Sequence, residues 1–161
     1  MSEGVLGGRA DVREVVRKGV CMPYMRLVVG GAYQGKLAFA RGLVGDSDRC
    51  LDVADGERDS FEAAFCRGIV CNLHAYIRRF CEGEADKARE EVREFVRCIL
   101  QRNPGAVVVC DLLGCGIVPM RAEDRLWREL TGEACQVLAG ASEEVYRVIC
   151  GIPQRLKGKE L

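Results

Sequence analysis

Residues Ala106 to Cys110, Ala-Val-Val-Val-Cys, form an unbroken apolar run between Asn103-Pro104-Gly105 and Asp111. A run this short, with β-branched side chains at successive positions, has no polar face. It reads as a strand covered on both sides, which is found chiefly in parallel sheets between helices. Other segments fit that frame. Arg26-Leu27-Val28-Val29 is a second β-type run that stops at Gly30-Gly31, and Gly35 to Leu43 then reads as a helix. Cys50 to Ala54 is a candidate strand broken by Asp55-Gly56, and Val145 to Cys150 is a last one. From Phe61 to Phe80 the residues Phe65, Ile69, Leu73, Tyr76, Ile77 and Phe80 recur at helical spacing. Ala85 to Arg102 places Val92, Phe95, Val96, Ile99 and Leu100 on one face and charges on the other. Ala122 to Ala139 is helical as well. Strands alternating with helices predict an α/β fold, a mostly parallel sheet flanked by helices with right-handed crossovers.

With 161 residues the chain is the size of one domain. Residues 1–24, glycine-rich at the start and closed by Pro23-Tyr24, read as an extension, and residues 25–161 as the domain. Lysines and arginines balance aspartates and glutamates at 24 each, so nothing in the overall charge favours a nucleic acid or a membrane surface as partner. No apolar run approaches the roughly 18 residues needed to span a bilayer, and the N-terminal residues carry no signal-like apolar segment. The expected location is the cytoplasm. Ten cysteines form no CxxC pair, and His74 is the single histidine, so a structural zinc site lacks its usual ligands. Cysteines inside apolar runs, as at 107–110 and 147–150, read as small buried hydrophobes.

Gly30-Gly31-Ala32-Tyr33-Gln34-Gly35-Lys36 fits GxxxxGK between a strand and a helix. Such a loop turns its backbone N–H groups onto phosphate oxygens, which calls for glycines free to take positive φ. The following helix N-terminus favours the anion, and the lysine meets the β- and γ-phosphates. The motif ordinarily closes on a Mg2+-binding Ser or Thr; here Leu37 stands there. Asp111, at the end of the Val107–Cys110 run, has the form of the acidic residue that holds Mg2+ through its water shell. Nucleotide binding is therefore expected at Gly30, Gly31, Ala32, Tyr33, Gln34, Gly35, Lys36 and Leu37. Lys36 and Asp111 are the candidate catalytic residues.

The stretch from Val107 onward continues through Gly114-Cys115-Gly116-Ile117-Val118-Pro119, then a helix carrying Gly132, Gln136, Leu138 and Ala139, then Gly151-Ile152-Pro153 and Leu156-Lys157. Together with Gly30-Gly31-Ala32 these residues resemble the bifunctional adenosylcobinamide kinase/adenosylcobinamide-phosphate guanylyltransferase family of cobalamin biosynthesis, over residues 25–158. The resemblance implies a single-domain P-loop NTPase fold of RecA-like type and a homo-oligomer, typically a trimer. It also implies a nucleoside triphosphate, ATP or GTP, as phosphoryl donor to the aminopropanol hydroxyl of a corrinoid, adenosylcobinamide, with Mg2+ as cofactor. Asp55, Gly56, Gly114, Gly116, Arg121 and Arg125 are further candidate nucleotide or substrate contacts.

The departures divide the family's two activities. The phosphate loop has Leu37 for its hydroxyl residue, and the strand before GxGIVP ends in Asp111-Leu112 where the family has a glutamate second. The family's guanylylated histidine follows the second strand on a helix; here Asp55-Gly56 leads almost directly into the next helix with no histidine between. His74 does not match that motif and reads as a packed or surface histidine, and Trp127 as a packing residue. Guanylyl transfer is expected to be lost, and phosphoryl transfer to continue through Lys36 and Asp111 with a weakened Mg2+ site. Two other readings stand beside this one: a nucleotide-binding homologue acting as a regulator or partner, and a P-loop enzyme with another substrate.

Overall fold

The computed structural model of the chain describes residues 24–44, 52–114, 116, 117 and 119–158. Its elements are β1 (Arg26–Gly30), α1 (Lys36–Leu43), β2 (Val53–Asp55), α2 (Phe61–Ala64), β3 (Ile69–Cys71), α3 (Leu73–Arg78), α4 (Ala85–Arg102), β4 (Val107–Asp111), α5 (Ala122–Ala141), β5 (Glu144–Ile149) and β6 (Ile152–Lys157). The strands form one sheet in the order β2-β3-β4-β1-β5-β6. The first five run parallel, and β6 returns antiparallel along β5.

The double-sided burial expected of Ala106–Cys110 follows from alternation. Val108 and Cys110 join Leu27, Val29 and Val70 in a large core that includes Phe95 and Ile99 of α4 and Leu130 and Leu138 of α5. Val107 and Val109 face the other way, with Val28, Ile69, Cys71 and Val148, against Ala40 of α1. Five aromatic rings, Phe61, Phe65, Tyr76, Phe80 and Phe95, meet beneath α4 at centroid distances of 4.7 to 5.7 Å.

The helical reading of Phe61 to Phe80 is overturned. A four-residue helix, the strand β3 and a six-residue helix occupy that stretch. The helix stops after Ala64, and Asn103 Nδ2 pins the turn by donating to the carbonyls of Ala64 and Arg67 at 2.9 and 2.8 Å. Ile69, Val70 and Cys71 are all buried between β2 and β4. The aromatic residues that mimic one helical face come from two short helices and the turns that follow them.

The second strand comprises Val53–Asp55; Cys50 and Leu51, the start of the expected strand, lie outside the described residues, as do residues 1–23 of the expected extension. The strand at the C-terminal side is followed by a further one, β6, in which every residue is exposed. Pro153 is tolerated there because an edge strand has N–H groups that face solvent. Cys110 is buried as expected of its apolar run, and Cys71 and Cys81 are buried as well, whereas Cys150, expected to be buried, is exposed in the β5–β6 turn at φ 50°. No helix among the described residues is long and apolar enough to cross a membrane.

Candidate functional site: a phosphate cradle at the carboxyl edge of the sheet

The chain leaves β1 at Gly30 and re-enters helix at Lys36, so the loop lies over the carboxyl ends of the parallel strands. The glycines serve it in different ways. Gly30 does not adopt positive φ; its constraint is space, because a Cβ there would fall 2.4 Å from the Val148 carbonyl oxygen of β5. Gly35 has φ 86° and caps α1, its carbonyl accepting the Phe39 N–H at 3.1 Å. Tyr33 takes the other left-handed position, at φ 57°, with its side chain fully exposed.

Gln34 ties the loop to the β5–β6 turn. Its Oε1 accepts the Cys150 N–H at 2.6 Å and its carbonyl accepts the Gly151 N–H at 2.9 Å. A Cβ on Gly35 would sit 3.3 Å from the Gly151 Cα, so loop and turn are in close contact.

Lys36 is buried. Its Nζ donates to the Gly31 carbonyl at 2.5 Å and lies 2.6 Å from Asp111 Oδ1, with side-chain exposures of 7% and 19%. An ammonium carries three donors, so two are engaged and one is left for a ligand. Asp111 ends β4 beside Gly30 of β1, and the Leu112 N–H continues the pairing to the Gly30 carbonyl at 2.9 Å. The Asp111 N–H donates to His74 Nδ1 at 3.3 Å. Burial holds the His74 imidazole below its ordinary pKa, with the Asp111 carboxylate opposing that shift and the Lys36 ammonium adding to it.

Asp55, at the end of β2, accepts from the Glu57 N–H, from Arg58 Nε and Nη2, and from Asn72 Nδ2 at 2.7 to 3.1 Å. Burial opposes its ionisation, but the hydrogen bonds from Arg58, Asn72 and the Glu57 backbone outweigh it and hold the carboxyl below its usual range. Burial also pushes the Cys71 thiol up to about 11, so this cysteine stays a thiol. Gly56 backs onto α3, where a Cβ would fall 2.2 Å from the Asn72 carbonyl oxygen.

These groups enclose a cavity of about 440 Å3 lined by residues 32–38, Asp55, Glu57, Arg58, Cys71, Asn72, His74, Val109 and Asp111. The structure thus brings together Ala32 to Leu37, Asp55 and Asp111, with Gly30 and Gly31 beneath them. It does not bring Gly114, Gly116, Arg121 or Arg125 into that lining. Arg125 donates to the carbonyls of Pro119 and Met120, Arg128 to that of Ile117, and Arg121 pairs with Glu123 at 3.4 Å. The first two arginines therefore fasten the loop that precedes α5. Asn72 and His74 were not among the expected site residues. The relevant sequence signal is Asn72 directly after the apolar triplet Ile69–Cys71, with His74 two residues further on, but the helical reading of that stretch hides it. Trp127 packs as expected, half-buried, its Nε1 donating to the His74 carbonyl at 2.7 Å.

Leu37 offers no oxygen; half-buried, it packs against the core cluster on the α1 side of the sheet. Among the described residues no group of three or more His, Cys, Asp or Glu side chains is placed to hold a metal ion.

A parallel sheet with a glycine-rich strand-to-helix loop, a buried lysine at the helix start and an aspartate on the neighbouring strand defines the P-loop nucleotide-binding class. Residues 68–156, β3 to β6 and more than half of the chain, match the family described as cobinamide kinase / cobinamide phosphate guanyltransferase, CobU. The phosphate loop precedes the matched segment. The bifunctional adenosylcobalamin biosynthesis protein CobU of Salmonella typhimurium is 26% identical over 180 residues, an alignment covering 83% of this chain and 99% of that protein. The chain belongs to the CobU family of cobalamin biosynthesis.

Proposed function

We propose that this protein is an adenosylcobinamide kinase that transfers the terminal phosphoryl group of ATP or GTP to the aminopropanol hydroxyl of adenosylcobinamide and has lost guanylyl transfer. The observation that carries the reading is Lys36: buried, seated on the loop's own carbonyl, 2.6 Å from the strand-end Asp111, with a donor to spare. The loop N–H groups and the start of α1 bind the phosphates, and Lys36 neutralises charge on the transferring group. The hydroxyl oxygen forms a bond to the terminal phosphorus as that atom's bond to the bridging oxygen breaks. The nucleoside diphosphate leaves, and the hydroxyl proton passes to water.

Mg2+ fits the site in a reduced form. Asp111 is the carboxylate beside Lys36 and would hold the ion through its water shell, the remaining ligands coming from phosphates and water, as is common for this ion. Bound there it would neutralise phosphate charge. Loss of guanylyl transfer is supported by the segment after β2. Residues 56–60 turn directly into α2 without a histidine, and Asp55 is committed to Arg58 and Asn72. Homo-oligomerisation, as a trimer, and a cytoplasmic location belong to the same reading.

The test is incubation with labelled ATP or GTP, Mg2+ and adenosylcobinamide. Phosphorylated corrinoid is expected, with turnover about 10²–10³ lower in Lys36→Met. No transfer, with nucleotide binding indifferent to Mg2+, would sink the kinase reading. It would leave a second one, a nucleotide-binding regulator or partner, which the packing of Leu37 into an apolar cluster favours.

A further inference from the structure

His74 is the only histidine of the chain, and its ring lines the cavity that holds Lys36 and Asp111. It is pinned from two sides. Its Nδ1 accepts the Asp111 backbone N–H at 3.3 Å, and its carbonyl accepts Trp127 Nε1 at 2.7 Å, with the two rings 6.2 Å apart.

The first bond decides the tautomer. A lone pair must be present on Nδ1 to accept a backbone N–H, so the neutral ring carries its proton on Nε2. A doubly protonated ring would set one N–H against another. The Nδ1 edge is turned to β4, and Nε2, without a partner among the described residues, is the edge left for the cavity. A nitrogen that already bears a proton cannot take one from a hydroxyl, nor attack phosphorus. At Nε2 the ring is neither base nor nucleophile; it is a fixed donor, and beside a phosphate cradle a donor has an anionic oxygen to meet.

We propose that His74 is a catalytic residue of the phosphoryl transfer, donating its Nε2–H to an oxygen of the nucleotide's terminal phosphate beside Lys36. This rests on the kinase reading above. Because Asp111 supplies both the bond that orients the ring and the carboxylate that holds Lys36, one strand end places two donors on the same group.

Two conservative variants separate the donor from the scaffold. His74→Asn keeps an acceptor near Nδ1 for the Asp111 N–H and loses the donor; His74→Gln reaches further and returns an N–H near the Nε2 position. The expected result is a kcat about 10²-fold lower for His74→Asn, with His74→Gln within about tenfold of wild type and KM for the corrinoid little changed in both. Equal losses in two folded variants would assign the residue a structural role and overturn the proposal. In the full-length wild-type protein, 15N-histidine NMR reports one ring. The expected spectrum is that of the Nε2–H tautomer, with its Nε2–H resonance moving downfield when a non-transferable imido analogue of ATP or GTP is added. A proton on Nδ1, or a resonance unmoved while calorimetry records binding, would overturn the assignment alone. An analogue that does not bind at all would overturn the kinase reading, and this one with it.

Discussion

Gly30→Ala is the most direct test of how the cradle is built. The added Cβ falls 2.4 Å from the Val148 carbonyl oxygen and 3.4 Å from Lys36 Cδ. The carbonyl is backbone in a parallel ladder, with Gly30 aligned to Asp111 on one side and Val148 on the other. No rotamer change relieves the contact, so β1 and β5, both interior strands, must separate at their carboxyl ends. Overpacking of this kind costs about 1–3 kcal/mol, and a rigid backbone neighbour puts this case at about 3. For a chain of this size that lowers Tm by about 6–12 °C. Gly132→Ala is the control. It lies in α5, exposed, with nothing within 4 Å of the new methyl group, and should stabilise by about 1 kcal/mol. Urea unfolding of the three proteins, followed by circular dichroism, reads both changes in one assay. A loss below about 1 kcal/mol for Gly30→Ala, or two shifts of the same sign, would refute the close approach on which this account of the loop depends.

Three further outcomes are expected. Leu37→Ser should make nucleotide affinity respond more strongly to Mg2+ in calorimetric titration, while costing about 1–2 kcal/mol of stability through lost packing; an unchanged Mg2+ response would mean the helix start does not face the ion. Gln34→Ala removes the acceptor of the Cys150 N–H, and nucleotide affinity should fall about fivefold, the equivalent of about 1 kcal/mol; an unaltered Kd would show that the turn does not brace the loop. Asp55 has a carboxyl held below its ordinary value of 3.8, so its ionised form contributes stability above that pH, and the contribution is lost as pH falls through the lower folded value. The stability gap between wild type and Asp55→Asn should therefore narrow below pH 3.8, and a gap constant with pH would contradict the hydrogen-bonded arrangement.

The parts of the fold legible in the residues are those with one unambiguous period. β1 and β4 announce themselves as short apolar runs with turn residues at their ends, and α4 and α5 as long amphipathic stretches. β3 is three residues long, and Ile69 fits a helical face made of residues that belong to α2, α3 and the turns beside them. Every residue of β6 is exposed, so no alternation marks it. At the site, the loop motif points to Lys36, and the strand-end position to Asp111. His74 escapes because its place depends on a backbone N–H 37 residues away. The arginines before and within α5 look like anion ligands by charge alone, but nearby carbonyls engage Arg125 and Arg128. The glycines were legible as necessary, yet for Gly30 the reason is a neighbouring strand that local sequence cannot reveal.

The bond from the Cys150 N–H to Gln34 joins positions 116 residues apart, and β1 itself lies between β4 and β5. The loop proposed to meet phosphate is thus synthesised early and finished late. During translation, a nascent chain that has not yet released residues up to Gly151 has the GxxxxGK sequence without the turn that braces it. Ligand capture then reports completion of the five parallel strands, and such distant pairing favours slow folding. Nucleotide added to stalled nascent chains of increasing length should be retained only once that turn has cleared the ribosome.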